Sequence, residues 1–236
     1  MKQQLLIVAL LAICVSASAQ GVQKTLPINK SSQLDYEVAN DGHTKDGLYY
    51  VKNLAKDKDA LYVQGHYKNN ARTGTWYFFD AKGNLTMRYS YDQGKILFME
   101  PKSLHNVSVN VLSDDPVVAK NASAPLPLCP VDYYASLIGN EIYAHYYDPT
   151  NDNLTAEIIA HIDAAGKATY TIDYIFKDRK SLRQSIDFKP VFPIEWLPAT
   201  YEKKAIPSEF TIYAKISPKT DDQEGHARFD WNNDEK

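Results

Sequence analysis

A chain of 236 residues with 26 basic and 29 acidic side chains carries a formal net charge of −3 at pH 7. That weak acidity excludes a nucleic-acid binder, which needs a basic stripe to neutralise phosphates. Two cysteines are too few for a disulfide scaffold, so the fold must rest on apolar cores rich in the 17 tyrosines.

Residues 1–19 read as an export signal. Lys2 supplies the positive start, Leu5–Val15 a short apolar run, and Ala17-Ser18-Ala19 a small-residue cleavage site. The run is too short to span a bilayer, and no second long apolar stretch follows, so no membrane span is expected. An alternative is a lipoprotein signal with acylation at Cys14, although Ile13 stands where a small residue is needed. Cleavage removes Lys2 and Cys14, leaving a net charge of about −4 and a single cysteine, Cys129. Cys129 lies between Leu128 and Pro130 and is either buried or paired with another chain.

Residues 20–41 form an N-terminal segment. A repeat domain then covers 42–112. Leu61–Asn70 aligns with Leu85–Gly94 at an offset of 24 residues, a period that marks stacked small units. Each copy alternates and runs into a polar turn. Trp76–Phe79 makes the strand between them, closed by Asp80-Ala81-Lys82-Gly83. Asn69-Asn70 and Lys82-Gly83-Asn84 tolerate the left-handed backbone of tight hairpins, so a meander of antiparallel hairpins is expected. Alternation places Leu61, Val63, Gly65 and Tyr67 on one face and Tyr62, Gln64 and His66 on the other.

Gly65-His66-Tyr67-Lys68-Asn69-Asn70, followed by Gly74-Thr75-Trp76 and the closing Gly83 turn, resembles a MORN-type repeat of the bacterial antitoxin-like variety. Tyr91-Asp92-Gln93-Gly94 matches the start of another unit and Gly47-Leu48-Tyr49 the middle of an earlier one, so the likeness covers about 42–100. Asn70 replaces the usual turn glycine. The resemblance implies an interaction or spacer module whose Tyr67, Trp76 and Tyr91 stack as core. The opposite face carries the candidate binding residues Tyr62, His66, Tyr77, Phe79 and Arg88. Either they form an exposed aromatic strip for an extended peptide, a glycan or a protein surface, or that face packs on the rest of the chain.

Four prolines between Pro116 and Pro130 mark 113–130 as a Pro-rich linker or extended strap. Beyond it, Ala156–Asp163 and Ala168–Tyr174 read as strands around an Ala164–Lys167 turn. Leu182, Ile186 and Phe188 suggest a helix over 178–188, and Ile206–Ile216 is the longest strand signal. This order predicts a small α+β unit and a chain that is mainly β. Ile162-Asp163-Ala164-Ala165-Gly166-Lys167, Trp196-Leu197-Pro198-Ala199 and Lys203–Pro207 look like the TonB C-terminal domain over 131–217. The membrane anchor and long proline-rich spanner of an energy transducer are missing, so a periplasmic binding or structural module is implied. The tail 218–236 is polar, apart from Phe229 and Trp231.

No catalytic motif stands out. His161 and Asp163 share a strand face, but no third metal ligand is near them, so no metal or other cofactor is expected. The sequence therefore suggests an exported, non-enzymatic envelope protein, periplasmic or outer-envelope associated, working as a protein-interaction or scaffold module. A carbohydrate- or peptidoglycan-binding module is the alternative, and a hydrolase with an unrecognised site the third reading. The expected partner is an envelope protein or a cell-wall glycan.

Overall fold

A computed structural model describes residues 21–55, 60–104, 106–141, 155–176, 180–218 and 227–231. Residues 1–19, expected to be an export signal, and Cys14 among them lie outside the described residues. The chain is mainly β, and its sheets are antiparallel.

Seven strands follow one another as an uninterrupted meander. They are β1 (Val22–Asn29), β2 (Ser32–Val38), β3 (Lys45–Asn53), β4 (Leu61–Lys68), β5 (Ala71–Phe79), β6 (Leu85–Ser90) and β7 (Lys95–Met99). Each hairpin is closed by the residues its turn demands. Asn69 and Asn70 have φ of 49° and 65°, and Gly83 has φ of 86°. Asp80 Oδ1 accepts from the N–H groups of Lys82 and Asn84 at 2.9 and 2.8 Å. The N-terminal segment 20–41, set apart from the repeat domain in the sequence, supplies β1 and β2 of this sheet.

Register shifts recur along the meander, and two of them fall at the same place in the 24-residue repeat. Val51 pairs with Val63 and Lys52 with Leu61, leaving Tyr62 as the extra residue. Phe78 pairs with Met87 and Phe79 with Leu85, leaving Thr86 extra. An extra residue shifts the side-chain phase of a strand. Tyr62 consequently turns inward, only 8% exposed, and does not join the opposite face that strict alternation predicted for it.

After Met99 a 3-10 turn at Pro101–Leu104 ends the meander and the chain crosses over. Strand β8 (Val107–Val111) was expected in the repeat domain but pairs with the second sheet. Next comes α1 (Pro116–Asn121), capped by Asp115, which accepts from Val117 N–H, with proline at the first helical turn. The two-residue strand β9 (Leu126–Pro127) follows, and Pro125–Pro130 are all buried. The end of the Pro-rich stretch, residues 125–130, is thus a strap inside the core, while α1 before it stays on the surface. Cys129 is within the strap, 2% exposed and unpaired, and burial pushes its thiol well above the ordinary value. A thiol-exchange reagent should therefore leave the native chain without residues 1–19 untouched and label it once unfolded. Rapid native labelling would contradict this burial.

Helix α2 (Val131–Glu141) holds the molecule together. It is apolar on two sides, as a helix packed between layers must be. On one side Tyr133 stacks on Tyr62 at 4.1 Å between centroids, and its hydroxyl donates to Ser32 Oγ at 3.2 Å. On the other side Tyr134 meets Trp196 and Phe210 edge-on, at 5.5 and 6.2 Å. Asp132, in the first turn, accepts from Ala81 N–H of the β5–β6 turn at 2.8 Å. The helix thus joins both sheets into one contiguous core.

The second sheet is built from β8 with β10 (Thr155–Ile162), β11 (Ala168–Ile175), β12 (Leu182–Ile186), β16 (Ser208–Pro218) and β17 (Ala227–Trp231), while the short β13 (Trp196–Leu197), β14 (Ala199–Tyr201) and β15 (Lys204–Ile206) lie outside it. Its order is β12-β11-β10-β16-β17, with β8 also on β16; β13 pairs with β9, and β14 with β15. The helix expected over 178–188 is strand β12. Leu182 and Ile186 are four apart, an even spacing that suits one face of a strand as well as one face of a helix, and the edge of β11 accepts them opposite Tyr174 and Tyr170. Phe229 and Trp231 of the tail pair in β17 with Ile216 and Ala214.

Candidate functional site

Cross-strand register sets one row of residues on the outer face of the meander. Tyr50 lies opposite Gln64, Gln64 opposite Tyr77, Tyr77 opposite Arg88, and Arg88 opposite Phe98. The inner face, one residue out of phase, carries Tyr49, Val63, Trp76, Phe78 and Met87, all buried. Among the described residues the side chains of Tyr50, Gln64, Tyr77 and Arg88 form no hydrogen bond or ion pair. Arg88 has one contact of note, its guanidinium 5.7 Å from the Phe98 ring centre. A row of rings and unpaired polar groups across a sheet can stack against and hydrogen-bond a partner.

Of the five residues the sequence singled out, Tyr77 and Arg88 stand in this row. His66 is exposed on the same strand as Gln64, and Phe79 is half-buried at the far end of β5. Tyr62 does not belong to the surface, because the bulge and Tyr133 bury it. Tyr50 and Phe98 were missed, although the same alternation that selected Tyr77 would have selected them once their strands were paired.

At one edge of the inner face lies an aromatic box. Trp76 has Tyr49, Tyr67 and Tyr91 around it at 5.5, 5.5 and 5.4 Å. Arg72 covers it, with its guanidinium carbon 4.6 Å from the Trp76 ring centre. Arg72 donates to Tyr67 Oη, Tyr91 Oη and the Pro193 carbonyl at 3.1, 2.7 and 2.9 Å. It also pairs with Glu195 at 3.2 Å. Burial works against this charge, but Tyr91, Tyr67 and Glu195 outweigh it and hold the guanidinium protonated. The cage is filled by the chain's own cation and so offers no site for another.

A cleft opens beside this anchor. Its walls are the β10–β11 turn at Ala165–Ala168 and the segment Phe188–Trp196, its floor is Tyr170, Phe188 and Trp196, and its volume is about 530 Å³. Tyr170 and Phe188 meet edge-on at 5.0 Å, and Trp196 Nε1 donates to Tyr170 Oη at 3.0 Å.

No family model, no curated protein and no solved structure matches this chain.

The His161–Asp163 pair separates by role. Asp163 caps its turn, accepting from the N–H groups of Ala165 and Lys167 at 2.9 Å each. His161 bridges Glu209 Oε1 from Nδ1 at 3.1 Å and Thr171 Oγ1 from Nε2 at 2.9 Å, and Asn110 donates to Glu209 Oε2 at 3.1 Å. The line Thr171–His161–Glu209 has the order of a hydroxyl nucleophile, base and orienting carboxylate. Thr171, however, sits mid-strand between β10 and β12, where neighbouring N–H groups serve the ladders and cannot form an oxyanion hole. The line is a cross-strand polar network. Among the described residues no group of three His, Cys, Asp or Glu could hold a metal, and no helix is long and apolar enough to cross a membrane.

Proposed function

We propose that this chain is an exported, non-enzymatic binding module of a cell envelope, and that its working surface is the outer face of the seven-stranded meander. In this reading the MORN-like meander and the TonB-C-like unit form one body that presents the face to a protein or cell-wall partner. The observation that carries it is the row Tyr50–Gln64–Tyr77–Arg88–Phe98, whose polar groups find no hydrogen-bond or ion-pair partner among the described residues. The inner faces of both sheets are consumed by a shared core around α2, which leaves this face for outside contacts.

One observation favours a glycan among the possible partners. Adjacent strands lie about 4.8 Å apart, so Tyr50, Tyr77 and Phe98, each two strands from the next, stand about 10 Å apart. That spacing is close to one disaccharide of an extended β-linked chain, and ring faces at such intervals can stack on alternate sugars.

The test uses the chain without residues 1–19, sedimented with purified peptidoglycan and assayed against purified envelope proteins. Tyr77→Ala with Arg88→Ala is expected to abolish retention while leaving the melting temperature within the small range of surface substitutions. Undiminished retention by the double variant would remove the outer face from consideration.

A further inference from the structure

We infer that the cleft between the β10–β11 turn and the Phe188–Trp196 segment is a second binding site, one that takes a small anionic ring compound: a carboxylate on a body of one or two rings. It is independent of the outer face, which lies on the other sheet.

The cleft has the dimensions of a ligand site. Its volume of about 530 Å³ falls within the usual range of pockets for small molecules. Its walls are held from behind. Phe192 is buried against Tyr49 and Tyr133, and the Pro193 carbonyl is fixed by Arg72. Leu128 N–H donates to the Glu195 carbonyl at 2.7 Å. On the opposite side Gly166 has φ of 79°, and a Cβ there would come 2.6 Å from the Trp196 carbonyl oxygen, so the turn is seated against the floor strand. These contacts pre-form the site and limit the ordering cost of binding.

The charges along the walls decide the ligand's sign. Glu195 is the carboxylate of the lining, and it is already engaged: Arg72 is 3.2 Å from Oε1, and Tyr91 donates to Oε2 at 3.0 Å. Lys189 leans on Asp187 at 2.7 Å in an exposed pair that water screens. Lys167 forms no ion pair among the described residues, and it stands on the turn at the mouth. An unpaired cation over a floor of aromatic rings complements a ring with a carboxylate. The rings' own polar ends are satisfied by each other, through Trp196 Nε1 and Tyr170 Oη, which leaves their apolar parts to the ligand.

Two sources share this chemistry, acidic sugars and aromatic acids. Titrating the chain without residues 1–19 with glucuronate, N-acetylmuramate and 4-hydroxybenzoate, by Trp fluorescence and calorimetry, separates them. Glucose, N-acetylglucosamine and 4-hydroxybenzamide serve as uncharged controls. At least one acid is expected to bind in the millimolar range or tighter, with its uncharged control about tenfold weaker. Lys167→Gln should weaken the acid about tenfold and leave both the control and the melting temperature unchanged. Tyr77→Ala with Arg88→Ala should leave the cleft titration unchanged, and Lys167→Gln should leave retention on peptidoglycan unchanged, so either site can fail alone. No binding of any acid up to about 10 mM, or equal binding of acid and control, would overturn the inference.

Discussion

Arg72→Ala is expected to destabilise the protein by about 3–5 kcal/mol, read as a lower urea midpoint at an unchanged slope. The side chain of Arg72 is 3% exposed and joins parts of the chain far apart in sequence. Its fork donates to Tyr67 and Tyr91 of the meander and to the Pro193 carbonyl of the segment beside the second sheet. Truncation removes three donors together, leaves a void over Trp76 and deprives Glu195 of its counter-ion. Glu195 is half-exposed and can turn to water, so the carbonyl, the hydroxyls and the void carry most of the loss. Two further variants separate charge from shape. Arg72→Met keeps most of the volume but none of the donors, while Arg72→Lys keeps the charge but not the planar fork. Both should fall between wild type and alanine. If alanine costs less than about 1 kcal/mol, Arg72 does not tie the sheets together.

The residues that carry this anchor explain what the sequence made legible. Strands β4 to β6 could be read because alternation, Asn-Asn and Gly-containing turns all agree, and local consistency makes a segment readable. Strand β1 could not, since Val22-Gln23-Lys24-Thr25-Leu26-Pro27 is an edge strand with only one neighbour and little apolar burial to enforce alternation. Tyr62 was misplaced because a bulge has no signature in side-chain pattern, even though Thr86 repeats it 24 residues later. Helix α2 escaped notice for the opposite reason. Packed on both sides by tyrosine, leucine and isoleucine, it has no polar stripe wide enough to show a helical period.

The surface row was half legible. Tyr77 and Arg88 follow from alternation along their own strands, whereas Tyr50 and Phe98 join them only through register, which is a property of pairing and not of any one segment. The cleft was not legible at all. Lys167 and Tyr170 come from one hairpin and Phe188–Trp196 from an irregular stretch, and only the closure of that stretch onto Arg72 and α2 brings them together. Sites assembled from loops that a scaffold positions are seldom visible as motifs.

Gly65→Ala is the second large effect, expected to cost about 3 kcal/mol. The glycine–aromatic spacing of the repeat has a steric cause here. A Cβ at Gly65 would lie 2.2 Å from the Trp76 ring atoms Cδ2 and Cε2, closer than any real contact. Gly65 sits where the β4–β5 ladder opens, between the pairs Gln64–Tyr77 and His66–Thr73, and the indole lies across the gap. Trp76 cannot retreat, being 0% exposed, with Tyr49, Tyr67 and Tyr91 around it and Arg72 over its face. Overpacking of this kind is relieved by backbone shifts, and here those would pull two strands apart. The two positions should therefore be coupled. In a Trp76→Leu background, itself destabilised by about 2–4 kcal/mol, most of the added cost of alanine at position 65 should vanish, because the smaller side chain vacates that space. Gly83→Ala is the control. Gly83 has φ of 86° but open space around its would-be Cβ, so only backbone strain of about 1–2 kcal/mol applies, and the identity of residue 76 should not alter it. Urea midpoints of the five variants decide the matter. If alanine at 65 costs the same with tryptophan or leucine at 76, the glycine serves backbone conformation alone and the indole plays no part in selecting it.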